Sequence, residues 1–119
     1  ATDYPGISKQ THGDIQMGHG PTITHGICNH PEVVKRLEQV ASKVKIPLQH
    51  ETVSATSGTD ADAVFWTRGG IPSALISLPN RYMHSPVEVV NLKDLEKIPQ
   101  LMAGFAESIK KNEKFAVKI

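Results

Sequence analysis

The most regular apolar pattern in the chain lies in residues 33–44. Val33, Val34, Leu37, Val40, Ala41 and Val44 recur at three-to-four spacing, with Glu32, Lys35, Arg36, Glu38, Gln39 and Lys43 on the other side. That period predicts a helix that lays one face on a sheet. Asn29 or His30 is positioned to cap its start, with Pro31 in the first helical position and Glu32 in the first turn, where a carboxylate suits free amides and the helix dipole. Pro47 is expected to stop it. Residues 21–24, β-branched and bounded by Gly20 and Gly26, read as a short strand, and residues 48–54 alternate as a strand with one solvated side would.

Further along, residues 61–67 read as a short helix capped by Thr59 or Asp60 and ended by Arg68 and the pair Gly69-Gly70. The unbroken apolar run 74–78 predicts a strand buried on both faces, closed by Pro79. Residues 87–90 suggest another short strand. Asn91 with Asp94 three residues on resembles a capping pair for a last helix, whose stripe is Leu92, Leu95, Ile98, Met102, Phe105 and Ile109. Pro99 is expected to kink or divide that helix. Residues 1–20 read as mostly loop, with an extended piece at 14–17, and residues 115–117 as an edge strand or a fraying end. The alternation of elements predicts an α/β fold, a sheet with flanking helices in three layers.

Composition narrows this picture. At 119 residues the chain fits a single domain spanning 1–119. With 13 Lys and Arg against 12 Asp and Glu, and clustering only at Lys110-Lys111, it presents no nucleic-acid surface. One cysteine, Cys28, cannot form an internal disulfide, so a reducing compartment, the cytoplasm, is expected. No apolar run approaches a membrane span, and residues 1–6 lack the basic and apolar regions of a signal peptide. Residues 1–20 read instead as a connection that expects a segment before them.

Six histidines are present, at 12, 19, 25, 30, 50 and 84, and none forms a helical metal motif by local spacing. His84 stands out by position. It lies in the loop 80–88 immediately after the apolar run, at the carboxyl edge of a sheet where ligands usually bind. His50 falls in an alternating strand as a solvated or cross-strand residue, and His12, His19, His25 and His30 sit in glycine-rich or capping contexts. Gly58-Thr59-Asp60-Ala61-Asp62 is either an amide nest for an anion or an ordinary helix cap, with the cap favoured. Gly18-His19-Gly20-Pro21 is not a phosphate loop, and neither Ser57 nor Ser85 sits in a nucleophile elbow.

Several segments together carry a resemblance. Gly58-Thr59-Asp60-Ala61, Gly70-Ile71-Pro72 and Arg81-Tyr82-Met83-His84-Ser85-Pro86-Val87-Glu88, followed by residues 92–95, look like the C-terminal part of the M42 metalloaminopeptidases, the glutamyl or deblocking aminopeptidases. Gly18-His19-Gly20-Pro21-Thr22-Ile23 and the opening Ala1-Thr2-Asp3-Tyr4-Pro5-Gly6 are similar to earlier segments of that family in the same order. The resemblance implies the C-terminal portion of a zinc-peptidase-like catalytic domain, a family that removes N-terminal residues from peptides, typically as a large homo-oligomer. It matches His84 to the last ligand of a two-metal site, usually zinc or cobalt. The family's other ligands and its general-base glutamate lie upstream of the residues present, and Asp3 falls after the position of the nearest acidic ligand. Thr59 and Asp60 would lie near the metal rim, with Arg81 and Tyr82 supporting the ligand or setting specificity.

In such a family two metals polarise the scissile carbonyl and activate water while a glutamate moves the proton. One histidine cannot hold two cations ~3.5–4 Å apart, so the 119-residue chain alone is expected to be inactive, with no catalytic residue of its own. The alternative is a non-catalytic α/β module used for assembly or partner binding. An endoglucanase-like label, sometimes attached to such sequences, would need a spaced carboxylate pair in one cleft, and nothing singles one out.

Overall fold

The structure, a computed structural model, describes residues 2–3, 5–6 and 8–115. In chain order its elements are α1 (Lys9–His12), β1 (Thr22–Gly26), α2 (Pro31–Lys43), β2 (Gln49–Val53), α3 (Asp60–Trp66), β3 (Ile76–Ser77), β4 (Asn80–Arg81), β5 (Val89–Val90) and α4 (Leu92–Ser108). The fold is the mixed α/β class expected. β1 and β2 pair in parallel from Thr22↔Gln49 to Gly26↔Val53, an arrangement that needs a crossover, which α2 supplies. β3 joins the other side of β1 antiparallel, giving the order β2-β1-β3, while β4 and β5 form a separate ribbon. Thr22, Ile23 and Thr24 of the central strand are fully buried. The Thr24 hydroxyl therefore finds a partner, donating to Glu51 Oε1 at 2.8 Å.

α2 begins as its sequence suggests. His30 caps it, its Nδ1 accepting from the Glu32 amide at 3.3 Å, and Pro31 opens the first turn. Its end differs from expectation, because the helix stops at Lys43 before Pro47 is reached. Lys45 takes a left-handed conformation (φ 57°), the Ile46 amide donates to Ala41 O at 2.9 Å and the Lys45 amide to Ser42 O at 3.3 Å. This is a Schellman turn with lysine where glycine is usual, closed by burial of Ile46. Val33, Val34, Leu37, Val40 and Ala41 are buried against Ile23, Ile46 and Leu101, whereas Val44, counted in the stripe, is exposed.

Two other expectations, the buried strand at 74–78 and the core-facing stripe of the last helix, are corrected. The run 74–78 contributes only Ile76–Ser77 as a strand and is half-buried, because β3 lies at the edge of the described sheet. Residues 14–17 pair into no strand, and within the expected loop Lys9–His12 turns briefly helical. In α4, Pro99 lies inside a continuous helix, so of the two outcomes expected of it division does not occur. Its buried residues are Asp94 and Leu101, while Leu92, Leu95, Met102 and Ile109 are exposed. The spacing of 92, 95, 98, 102, 105 and 109 is helical, but of these only Ile98 and Phe105 are half-buried, with Phe105 packed on the core. Phe115 stacks on Phe105 with ring centroids 6.0 Å apart, and residues 116 and 117 of the expected edge strand lie outside the described residues.

Asp94 is the buried charge that orients α4. Asn91 caps the helix, its side chain accepting from the Lys93 amide, but Asp94 does not return the capping-box bond. Its carboxylate instead accepts from the Gly18 amide at 2.5 Å and the Gly20 amide at 2.9 Å, with Lys97 Nζ at 3.7 Å. Gly20 is itself obligatory, since at φ +102° a Cβ would lie 2.1 Å from Pro47 O. At the other end, Arg36 donates to Ser108 O at 2.9 Å and pairs with Glu113, whose carboxyl it holds below the usual range.

A second carboxylate closes the loop before α3. Asp62 accepts from the Ser57 and Gly58 amides, each at 3.0 Å, from Ser57 Oγ at 2.9 Å and from the Cys28 thiol at 2.7 Å. The thiol bond, then the Ser57 amide, lowers Asp62 from 3.8 to about 2. Reciprocally, the bond to Asp62, with burial behind it, pushes the Cys28 thiol up to about 11.

Two outcomes follow from these carboxylates. Asp94→Ala should lower unfolding stability by about 3 kcal/mol in denaturant titration, since two charge-assisted bonds vanish and the buried Gly20 amide loses its acceptor; a loss below ~1 kcal/mol would show that water replaces the carboxylate. For Asp62 the folded value is depressed, so the unfolded state takes up the proton first and acid destabilises the fold. The melting-temperature advantage of the native chain over Asp62→Asn should be constant above the unfolded value of 3.8 and shrink as pH falls toward about 2. A difference independent of pH across that window would refute this account.

Candidate functional site

The ribbon of β4 and β5 carries the loop 82–88 at its tip, with Asn80 opposite Val90 and Arg81 opposite Val89. Pro79, fully buried, anchors its base. The loop is closed by its own side chains: the His84 amide donates to the Glu88 carboxylate, and the Val87 amide to Ser85 Oγ at 3.3 Å. Two residues of the loop hold left-handed backbone without glycine, Tyr82 at φ 59° and His84 at φ 62°. Both are exposed, so the imidazole faces solvent on a turn whose shape is set locally.

Arg81 is committed inward. Its Nε donates to Asp3 O at 2.9 Å, and its guanidinium reaches Asp3 Oδ1 at 3.3 Å. The Asp3 amide donates to Asn80 O at 2.8 Å, and its other carboxylate oxygen accepts from the Met17 amide at 3.0 Å. The segment around Asp3 is thereby stitched to the base of the His84 loop. This contact spans 78 residues of sequence and has no local signal.

Thr59 and Asp60 sit at the start of α3. The Thr59 hydroxyl accepts from the Ala61 amide at 3.3 Å and lies 2.7 Å from Ser57 Oγ, so it acts as the expected cap. The amides of Ser57 and Gly58 point into Asp62, so the nest is filled by the chain's own carboxylate. Among the described residues no hydrogen bond or ring contact links Thr59 or Asp60 to the His84 loop.

The structure does assemble one group that local spacing could not reveal. His25 on β1, Glu38 on α2 and His50 on β2 place one ligand atom each within 4.8 Å of one another. His25 Nε2 lies 2.8 Å from His50 Nδ1, which is 3.9 Å from Glu38 Oε1. The signal available in sequence was indirect: a histidine on each of two strands joined by one crossover, with a glutamate on the connecting helix. His84 belongs to no such group: among the described residues, no group of three possible ligands forms there.

Comparison with known proteins places these features in a family. The M42 glutamyl aminopeptidase family matches residues 1–101. The lysyl aminopeptidase of Pyrococcus furiosus is 35% identical over 95 residues, covering 80% of this chain and 28% of that protein. Among solved structures, an aminopeptidase from the archaeon Desulfurococcus kamchatkensis aligns with a TM-score of 0.80 at 34% identity, over 92% of this chain and 32% of that one. The TET1 peptidase of Pyrococcus horikoshii, described as able to assemble into a tetrahedron or a large octahedral shell, aligns with a TM-score of 0.67 at 25% identity, over 87% of this chain and 31% of that one. The chain thus spans less than a third of the length of each of these relatives. With the family match running through the sheet, the His84 loop and the first half of α4, the chain belongs to the M42 glutamyl aminopeptidase family.

Proposed function

We propose that this chain supplies part of the active site of a metal-dependent aminopeptidase that removes N-terminal residues from peptides, with His84 as a ligand to one of two divalent cations, zinc or cobalt. The observation that supports this most is the His84 turn itself: an exposed imidazole on a non-glycine left-handed residue, closed by Glu88 and braced through Arg81 by Asp3. A turn that accepts such a backbone cost while leaving the ring in solvent suits a ligand better than a packing residue. Arg81 acts by positioning this turn, the exposed Tyr82 two residues before the histidine contributes to specificity, and Thr59 and Asp60 border the substrate site. A cytoplasmic location belongs to the same reading, motivated by a single cysteine that can form no internal disulfide; no helix among the described residues is long and apolar enough to cross a membrane.

The remaining ligands and the general base come from outside these 119 residues. The chain alone should therefore not hydrolyse aminoacyl-anilides with zinc or cobalt present. The full-length protein should hydrolyse them, lose activity to a chelator, and lose at least ~10³-fold in kcat/KM on His84→Ala, matching the several kcal/mol that a catalytic cation contributes. Chelator-insensitive hydrolysis, or a His84→Ala enzyme at the native rate, would remove the proposal.

Homo-oligomeric assembly is part of the same reading. Val87, Val89, Val90, Leu92 and Leu95 are exposed along one stretch at the β5–α4 junction, more apolar surface than isolated exposed residues explain. Light scattering of the full-length protein should give a multimer that dissociates on Leu92→Glu with Leu95→Glu. A monomer at all concentrations would exclude it.

A further inference from the structure

We propose a second cation site, separate from the His84 loop, at which His25, Glu38 and His50 bind a divalent transition-metal ion and clip the edge strand β2 to β1 and α2. The proposal rests on geometry and donor chemistry and is independent of the catalytic reading above. Each ligand stands on a different element: His25 near the end of the central strand, His50 on the neighbouring edge strand, and Glu38 on the crossover helix. The parallel register places Ile23 opposite His50 and His25 opposite Thr52, so the two imidazoles are offset by two positions, on one face of the sheet, and their rings meet diagonally, with centroids 5.1 Å apart. Their backbones are held by the sheet ladder, and that of Glu38 by a helix whose opposite face is buried in the core.

The spacing is close to what a metal needs. Ligand atoms about 2.0–2.2 Å from a tetrahedral Zn²⁺ lie roughly 3.3–3.5 Å from one another. Here one pair is at 2.8 Å, held as an imidazole–imidazole hydrogen bond, and another at 3.9 Å. An ion would part the two nitrogens by about half an ångström and draw the carboxylate in by a similar amount toward His50, and toward His25 from within 4.8 Å, by turning the broad terminal torsions of His and Glu. The rings, inclined by 24°, turn about that torsion to aim both lone pairs at the ion. Whichever imidazole now donates its N–H to the other moves that hydrogen to its second ring nitrogen through solvent, so both rings stay neutral.

The ligand set selects the cation. Two imidazoles and one carboxylate suit Zn²⁺, Co²⁺ or Ni²⁺ and disfavour Ca²⁺ and Mg²⁺, which prefer oxygen. Entry is open: half of the His50 side-chain surface (52%) and much of that of Glu38 (40%) are accessible. Glu38 also separates two surface grooves, one lined by His25, Pro31 and Val34, the other by Ala41, Leu48 and His50. With three protein ligands, a further coordination position faces water.

The test is Co²⁺ titration of the full chain followed by visible absorption, with Zn²⁺ calorimetry alongside. One ion should bind to the native chain and to His84→Gln alike, and affinity should fall by at least the ~10-fold that loss of an outer partner already costs in His50→Gln and in Glu38→Gln. Circular dichroism checks that the variants stay folded, which the surface position of His50 favours. A readout needing no variant is Ni²⁺ broadening of the His25 and His50 ring protons at substoichiometric metal. No binding by the native chain, binding abolished by His84→Gln alone, or unbroadened His25 and His50 signals would each overturn the proposal.

Discussion

A buried carboxylate without nearby cations of equal intimacy must be met by hydrogen-bond donors, and in this chain that requirement is Asp94. Its donors are backbone amides from residues 18 and 20, more than seventy positions away, so α4 can take only one place relative to the sheet. Once α4 is placed, Leu101 closes the core over α2 and Arg36 reaches the helix's last carbonyls. The loop before β1 is held from a second side by Asp3, which takes the Met17 amide. Since Asp3 also receives Arg81, the geometry of the His84 turn is linked through the 17–20 loop to the same carboxylate.

What was legible in the sequence was local. Caps at His30, Thr59 and Asn91, the face of α2 and the alternation of β2 are encoded within a few residues of where they act, and the structure reproduces them. Features that depend on distant residues were not. Asp94 stands at capping-box spacing from Asn91, and only the folded chain shows that its carboxylate serves another loop. The periodic stripe of α4 is genuine helix periodicity, but periodicity alone does not say which apolar face is covered, and here the covered one centres on Leu101. Lys45 ends α2 in a conformation that no side-chain preference announces, ahead of the proline that looked like the stop.

The candidate sites divide in the same way. The His84 loop is a contiguous motif whose members explain one another in space: Ser85 and Glu88 close the backbone that presents the histidine, so the motif is readable as one segment. The His25, Glu38 and His50 group exists only because a parallel strand pair and its crossover helix bring together positions up to twenty-five residues apart. Three residues that look unremarkable in isolation acquire chemistry from topology.

The left-handed backbone at Tyr82 and His84 bears on how this segment tolerates change. Each such residue costs about 1 kcal/mol or more that glycine would avoid. Selection for stability alone would favour glycine or asparagine at both positions, whereas the ligand role proposed for His84 requires an imidazole there. Under that proposal the turn is a place where foldability and chemistry compete within a single residue.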